Sequence, residues 1–216
     1  MQNSKTLAVR FIDFLKERGL NAELIKYGTY FANVKYENNG MLKIFIKKSG
    51  DNRISLPINI DEQTMFEIMK YWELFNGRNH KGTHLYVDGS FIDNMAGYGY
   101  VIVLDNNVIN TGSGIIKEDI SLRNITGEIM GIITGIENCL ENDFKSITIH
   151  YDYEGLKKWV TGKWKTNKKL TQLYREKMTA YSRKIIISWH KVAAHSGITY
   201  NELADRLAKN AVKNYR

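Results

Sequence analysis

The sequence predicts a mixed α/β (α+β) protein that contains two separate sheets. Up to about position 76, four short β-rich runs lie between two helical segments, whereas after position 83 strands are interspersed with helices. A polar stretch that contains two glycines separates the two patterns. Consecutive short strands typically pair antiparallel, and strands that alternate with helices typically pair parallel. We therefore expect a small antiparallel sheet with helices, followed by a mixed five-stranded sheet with helices.

The N-terminal region, residues 1–76, has the order αββββα. Apolar residues recur at helical spacing from Leu7 to Leu15, and Gly19 lies where a helix C-cap belongs. Asp61 is in position to cap a second helix over residues 62–75. Turn residues separate the four predicted strands, which cover residues 23–27, 30–36, 41–47 and 53–58. We interpret this region as a small α+β accessory domain, and the polar residues 77–82 as a linker.

The C-terminal region, residues 83–216, has the order βββαβααβα. A strand over residues 83–88 precedes a hairpin, and the remaining strands alternate with helices. The late strands should therefore lie parallel to the first one. The later predicted elements are strands at 98–104, 108–116, 146–152 and 185–189 and helices at 122–140, 154–160, 170–181 and 200–213.

Composition indicates an intracellular protein that binds a polyanion. The 216 residues carry a net charge of +8, shared equally between residues 1–82 and residues 83–216, and 43% of them are hydrophobic. A basic balance of this kind is typical of nucleic-acid binding, although it also serves simple solubility. No apolar run is long enough to span a membrane, no secretory signal precedes the first helix, and the one cysteine, Cys139, lies in an apolar stretch. We expect a cytoplasmic monomer with no membrane partner.

Four acidic residues stand out as candidate metal ligands. Asp88 and Asp152 each end a predicted strand, where open α/β sheets place their ligands, although either alone could simply open a turn. Glu128 lies within the apolar stripe of the long helix, where a carboxylate is costly unless it reaches solvent, is paired or binds a metal. Asp205 lies on the last helix and by itself would be an ordinary surface acid.

The chemistry of these side chains favours a hard divalent ion. No cysteine cluster or histidine pair accompanies the four acids in the motifs, so Mg²⁺, with Mn²⁺ as a substitute, is a better candidate than zinc. Two such ions, typically about 3.5–4 Å apart, suit phosphodiester hydrolysis. A basic protein with such a site is expected to be a nuclease.

The C-terminal region resembles type 1 ribonuclease H from Thr83 to the end of the chain. The resemblance is carried by Asp88-Gly89-Ser90 after the first strand, by Asn124 four residues before Glu128, and by Asp152. The final motif is Ala194-His195-Ser196-Gly197 followed by Asn201-Glu202-Leu203-Ala204-Asp205, with alanine where a glycine is usual. A shortened basic loop, residues 162–169, is similar to the family's basic protrusion.

The resemblance implies a ribonuclease H-like fold and an endonuclease that cuts the RNA strand of RNA–DNA hybrids with two Mg²⁺ ions, leaving 5′-phosphate products. It implies that Asp88 bridges both ions, that Asp205 helps to hold the ion that activates water, and that Glu128 and Asp152 hold the other. His195 would assist proton handling or product release. Substrate contacts are implied for Ser90, Asn124, Trp164 and Lys165; the alternative for Trp164 is packing on its own domain.

Two other functions are compatible with the same fold. One is a non-catalytic nucleic-acid-binding module, and the other is a differently specific two-metal nuclease such as a junction-resolving enzyme. A binding module has no need of four acids, and the Asn124-to-Glu128 spacing and the His195 loop favour the hybrid-cutting enzyme. The N-terminal domain is expected to bind substrate through lysines such as Lys43, Lys47 and Lys48, with a protein partner as the alternative.

Overall fold

A computed structural model describes residues 3–37, 40–46, 52–57, 59–192 and 197–215. The chain divides into two compact units, Met1–Asn79 with Ser196–Thr199, and His80–His195 with Tyr200–Arg216. In the described part of the chain, no helix combines the length and apolar character that a membrane crossing requires.

The first unit is an antiparallel sheet with two helices, as the sequence predicts. Each helix begins at a side-chain cap, since Asn3 accepts a hydrogen bond from the Thr6 amide and Asp61 accepts one from the Thr64 amide, both at 2.8 Å. The strands follow one another in the order β1-β2-β3-β4. The elements are α1 (Ser4–Lys16), β1 (Ala22–Tyr27), β2 (Phe31–Tyr36), β3 (Met41–Ile46), β4 (Asn52–Ser55) and α2 (Glu62–Phe75).

Alternation along the strands of the first unit separates a buried face from an open one. Ala32, Val34 and Ile44 are fully buried and pack with Phe11 and Trp72 of the helices. Neighbouring side chains on a strand point to opposite faces, so the residues between them face away from this core. The helices thus cover one face of the sheet.

The second unit contains the predicted mixed sheet of five strands. Its elements are β5 (Thr83–Ile92), β6 (Met95–Leu104), β7 (Asn107–Ile116), a short 3₁₀ helix (Ile120–Leu122), α3 (Asn124–Glu141), β8 (Ser146–Tyr151), α4 (Gly155–Val160), α5 (Lys169–Tyr181), β9 (Ile186–Lys191) and α6 (Thr199–Lys213). The strand order is β7-β6-β5-β8-β9. β5, β6 and β7 are antiparallel, whereas β8 runs parallel to β5 and β9 parallel to β8.

The long helix α3 packs its apolar stripe on one face of this sheet. Ile129, Ile132, Ile136 and Cys139 are fully buried there, together with Leu85 of β5. The cysteine is therefore a core residue, as its apolar surroundings in the sequence predict.

The first strand of the second unit is longer than predicted. β5 continues four residues beyond Asp88 to Ile92, because it stays paired with β6 through a tight turn at Asp93 and Asn94. Both turn residues have positive φ, at 47° and 59°, which is the conformation that two-residue hairpins require. The parallel pairing of β5 with β8 nevertheless covers only His84–Tyr86. Asp88 therefore lies just past the end of the parallel part of the strand and not at the end of the strand itself.

Candidate active site

Asp88 lies where β5 loses its parallel neighbour. Asp88 pairs with Gly99 of the antiparallel strand β6. The amide of Gly89 donates a 2.7 Å hydrogen bond to Oδ1 of Asp88. The side chain is partly exposed. A carboxylate is thus held at the edge of the sheet core with one oxygen oriented by the backbone.

A glycine directly after Asp88 lets helix α3 approach the strand closely. A Cβ atom at Gly89 would lie 1.9 Å from the Asn124 carbonyl oxygen and 2.8 Å from the Glu128 amide nitrogen. Backbone-to-backbone contact of this kind requires a residue without a side chain. It places the first turns of α3, including Glu128, beside Asp88. The Glu128 side chain is 7% exposed.

Asp152 completes a pair with Glu128. It follows the last residue of β8 and is exposed, and its negative charge helps to raise the pKa of Glu128. The two carboxyl groups therefore lie close enough to interact electrostatically.

A second close approach brings Asp205 to the same place. A Cβ atom at Gly99, the partner of Asp88, would lie 2.2 Å from the Ala204 carbonyl oxygen of α6. Asp205 is the next residue, and its carboxylate raises the pKa of Asp88. Lys209, one helical turn later, donates a 2.7 Å hydrogen bond to Asp205. This lysine partly compensates the negative charge in the metal-free protein.

Asp88 and Glu128 are both affected by the negative charge of neighbouring acids. Burial, followed by the charges of Asp205 and Asp152, raises the pKa of Asp88 to about 7. Burial, followed by the charges of Asp152 and Asp88, raises the pKa of Glu128 well above its ordinary value. Carboxylate oxygens that converge in this way are suited to a hard divalent metal ion, whose positive charge would favour the ionised forms of Asp88 and Glu128. The donor set therefore fits the divalent ion that the sequence motifs imply.

The predicted substrate residues differ in how exposed they are. Ser90 is 6% exposed, whereas Asn124, the first residue of α3, and Lys165 are exposed. Trp164 is 39% exposed and lies 6.2 Å, between ring centroids, from both Tyr153 and Trp159. One side of the indole thus packs on its own domain while the rest faces solvent. His195 lies outside the described residues.

Sequence reasoning missed two features near the acids. One is Lys209, which its i,i+4 spacing from Asp205 would have predicted as an ion pair. The other is a group of histidines, His80, His84 and His150, on the second unit. The sequence did contain a signal for this group. His84 alternates with Tyr86 and Asp88 on one strand, and His150 alternates with Asp152 on another.

Comparisons with known proteins identify relatives of the second unit. The sequence model of the RNase H family matches residues 80–213. Ribonuclease H of Buchnera aphidicola subsp. Schizaphis graminum is 28% identical over 144 residues, which cover 60% of this chain and 84% of that protein. The crystal structure of RNase H1 from the halophilic archaeon Halobacterium salinarum NRC-1 is 26% identical and superposes with a TM-score of 0.53, covering 61% of this chain and 98% of that one. LC11-RNase H1 in complex with an RNA/DNA hybrid superposes with a TM-score of 0.50 over 60% of this chain and 99% of that chain; at 18% identity this likeness concerns the fold.

Proposed function

This chain belongs to the ribonuclease H family and hydrolyses the RNA strand of RNA–DNA hybrids, and we propose that Asp88, Glu128, Asp152 and Asp205 carry this activity. The observation that supports the assignment is the convergence of these four carboxylates. Asp88 and Glu128 have a raised pKa because each is buried and lies near other acids. A structural ion-pair network would instead place a cation beside each acid; in the described part of the chain, Lys209 forms an ion pair with Asp205.

Divalent metal dependence follows from the family, and we propose that the site takes two Mg²⁺ ions, with Mn²⁺ as a substitute. The chemistry that such ions supply when bound is activation of the attacking water and stabilisation of charge on the attacking and leaving oxygens. Asp88, at the centre of the cluster, would contact both ions. Glu128 and Asp152 would hold one and Asp205 the other. His195 would move a proton or assist product departure, and the products would carry 5′-phosphates.

The substrate contacts are also a proposal. Asn124 is exposed at the start of α3, beside the acids, and would donate to the RNA strand in the minor groove, where the 2′-hydroxyls distinguish a hybrid from duplex DNA. Ser90 would lie near the hybrid, although the residue is almost completely buried. Trp164 and Lys165 would contact the DNA strand, since the exposed part of the indole adjoins the basic loop.

We further propose that residues 1–76 form a substrate-binding domain, joined through residues 77–82 to the catalytic domain at 83–216. On the open face of its sheet, Lys43 is exposed and lies 5.1 Å and 5.0 Å from the ring centroids of Phe31 and Phe45. A cation between two aromatic rings is suited to a backbone phosphate and the base next to it. Lys47 and Lys48 lie outside the described residues. A protein partner for this domain is the alternative.

The Asp88→Asn variant tests the catalytic assignment. A neutral amide cannot bridge two cations, so we expect hybrid cleavage in Mg²⁺ to fall at least about a thousandfold while hybrid binding and folding persist. The assay compares labelled RNA–DNA hybrid, duplex RNA, duplex DNA and a four-way DNA junction.

The matched control is Asp143→Asn, which removes a charge from a highly exposed aspartate and should cleave like the unmodified protein. Near-normal turnover of Asp88→Asn would show that the acid assignment is wrong. Preferential cutting of the junction would favour the junction-resolving function instead.

A further inference from the structure

Three histidines of the second unit lie close together outside the carboxylate cluster. Among the described residues, His80, His84 and His150 each bring one ring nitrogen to within 4.8 Å of the others. No carboxylate or thiolate belongs to this group. We infer that His80, His84 and His150 form a binding site for a transition metal ion of the zinc class, separate from the Mg²⁺ site. All-imidazole donor sets suit Zn²⁺, Co²⁺, Ni²⁺ and Cu²⁺, whereas Mg²⁺ prefers oxygen.

The sheet holds two of the three ligands in register. His84 lies on β5 and His150 on the parallel neighbour β8, where it is paired with Tyr86. The Tyr86 ring stacks on His150 at 4.0 Å between centroids, with an interplanar angle of 17°. His150 is 4% exposed. A site built on adjacent strands is rigid, which lowers the entropic cost of binding an ion.

The third ligand is fixed by a turn. The His80 amide donates a 2.8 Å hydrogen bond to the Asn106 side chain, and the Asn106 amide donates one of 3.1 Å to the His80 carbonyl oxygen. The Tyr86 hydroxyl lies 3.1 Å from His80 Nδ1 and orients the ring. His80 is therefore anchored by its backbone and by its side chain, although it precedes the first strand of the unit.

The hydrogen bonds of His84 match those of a metal-ligating histidine. Its Nε2 lies 3.0 Å from the Lys81 carbonyl oxygen, which can only accept, so Nε2 carries the hydrogen and Nδ1 presents a lone pair. A ring N–H bound to a backbone carbonyl commonly orients the opposite nitrogen toward a metal. That nitrogen, His84 Nδ1, lies 2.9 Å from His150 Nε2.

The distance between His84 Nδ1 and His150 Nε2 is close to the distance that a shared metal ion would require. In the metal-free protein one hydrogen fills the space between them. Tetrahedral coordination at 2.0–2.1 Å from each nitrogen would separate them by about 3.3 Å, so an opening of a few tenths of an ångström suffices. Three protein ligands leave a fourth position for water.

One feature limits the affinity. The buried Nδ1 of His150 has no hydrogen-bond partner within the described ranges, and it would carry the ring hydrogen once Nε2 binds a metal. An unsatisfied buried N–H costs free energy. We therefore expect binding weaker than that of a closed four-ligand zinc site, yet strong enough to measure by titration.

A bound ion would link the two strands that also carry catalytic acids. His84 precedes Asp88 by four residues, and His150 precedes Asp152 by two. Alternation places each histidine on the same side of its strand as the following acid, roughly 7–13 Å away along the chain. A metal ion bound to the three histidines should therefore stabilise the second unit while the carboxylate cluster stays available for Mg²⁺.

The experiment uses the untagged 216-residue chain, stripped with chelator and held in excess Mg²⁺ so that the carboxylates are occupied. Zn²⁺ is titrated by calorimetry and Co²⁺ by visible absorption, since nitrogen-rich, low-coordinate Co²⁺ absorbs far more strongly than octahedral Co²⁺ bound to oxygen. We expect one equivalent, intense Co²⁺ bands and a raised Tm with Zn²⁺.

Two substitutions at the cluster and two controls make the result specific. His84→Gln and His80→Gln should each weaken binding at least tenfold, and two independent variants guard against a local folding defect. Asp143→Asn, which changes a highly exposed aspartate outside the three-way group, and Asp88→Asn should leave the metal affinity unchanged. Weak octahedral Co²⁺ bands alone, unchanged affinity in both cluster variants, or loss of binding in Asp88→Asn would each overturn the proposal. None of these outcomes depends on nuclease activity.

Discussion

At the scale of single residues, Asp88 links ionisation to stability. Its pKa rises from 3.8 in the unfolded chain to about 7 in the folded protein, chiefly because the carboxyl group is buried and secondly because Asp205 is near. Between these two pH values the folded state binds more protons than the unfolded state, so the free energy of unfolding falls as pH rises. This decrease in the free energy of unfolding is complete above about pH 7.

We predict that the free energy of unfolding of the metal-free protein falls as the pH rises from 4 to 7. In the Asp88→Asn variant the same rise in pH should lower it less. A shift of this size corresponds to at most about 4 kcal/mol at 1.36 kcal/mol per pKa unit, before structural relaxation. At pH 8 without metal the variant should be the more stable protein, and near pH 4 the two should agree. Urea unfolding with chelator at several pH values measures this. Equal pH dependence of the two proteins would show that Asp88 ionises normally.

The histidine loop yields a second prediction at this scale. His195→Ala should slow turnover without abolishing it, because the four acids remain to bind the metal ions and only proton handling or product departure suffers. Single-turnover and steady-state rates on hybrid separate these two roles. His190→Ala, on the exposed part of β9, is the control. Complete loss of cleavage with metal still bound would make His195 indispensable to the chemistry.

At the scale of secondary-structure elements, glycines decide how closely the helices approach the acids. Gly89 contacts the backbone of α3, whereas a Cβ at Gly135 would meet the end of the Leu85 side chain, at 2.5 Å. Both glycines lie where β5 packs on α3, but a side chain can move aside and a backbone carbonyl cannot.

We therefore predict that Gly89→Ala lowers stability by about 3 kcal/mol or more and sharply reduces cleavage, because it pushes Glu128 away from Asp88. Gly135→Ala, the matched control, should cost about 1 kcal/mol and retain activity. Thermal unfolding and hybrid cleavage of both variants provide the comparison. If the two variants behave alike, the close approach of α3 at Gly89 is not what positions Glu128.

At the scale of the whole molecule, the two units carry separate cores, and the family match is confined to residues 80–213. We predict that a fragment beginning at Asn79 folds and cuts hybrid with a raised KM and little change in kcat. If the removed domain contacts two to four phosphates, the salt slope of binding should become shallower by about 2–4 units, at roughly 0.9 per contact.

The isolated fragment 1–80 provides the complementary measurement. Titrated against hybrid at low salt, it should bind, and replacing Lys43 with Gln should weaken that binding. Absence of any binding at low salt would remove the nucleic-acid role and leave a protein partner as the better proposal.

Much of the architecture was predictable from the sequence because its signals are local. Caps such as Asp61, periodic apolar stripes and turn residues placed the helices and strands within a few residues and predicted the mixed five-stranded sheet. The acidic motifs were visible for the same reason, since each consists of a few residues at short spacing. The length of β5 was not predicted, because only its pairing with β6 extends it past Asp88.

By itself, therefore, the sequence determined the elements, the family and the four candidate acids, all of which are encoded in short-range patterns. The tertiary structure alone decided that Gly89 and Gly99 let two helices approach Asp88, that the pKa values of Asp88 and Glu128 rise together, and that His80, His84 and His150 meet. These properties depend on distances between residues that are far apart in the chain. Such distances arise only when the strands and helices pack, because packing creates both the burial and the proximity that change the chemistry of each side chain.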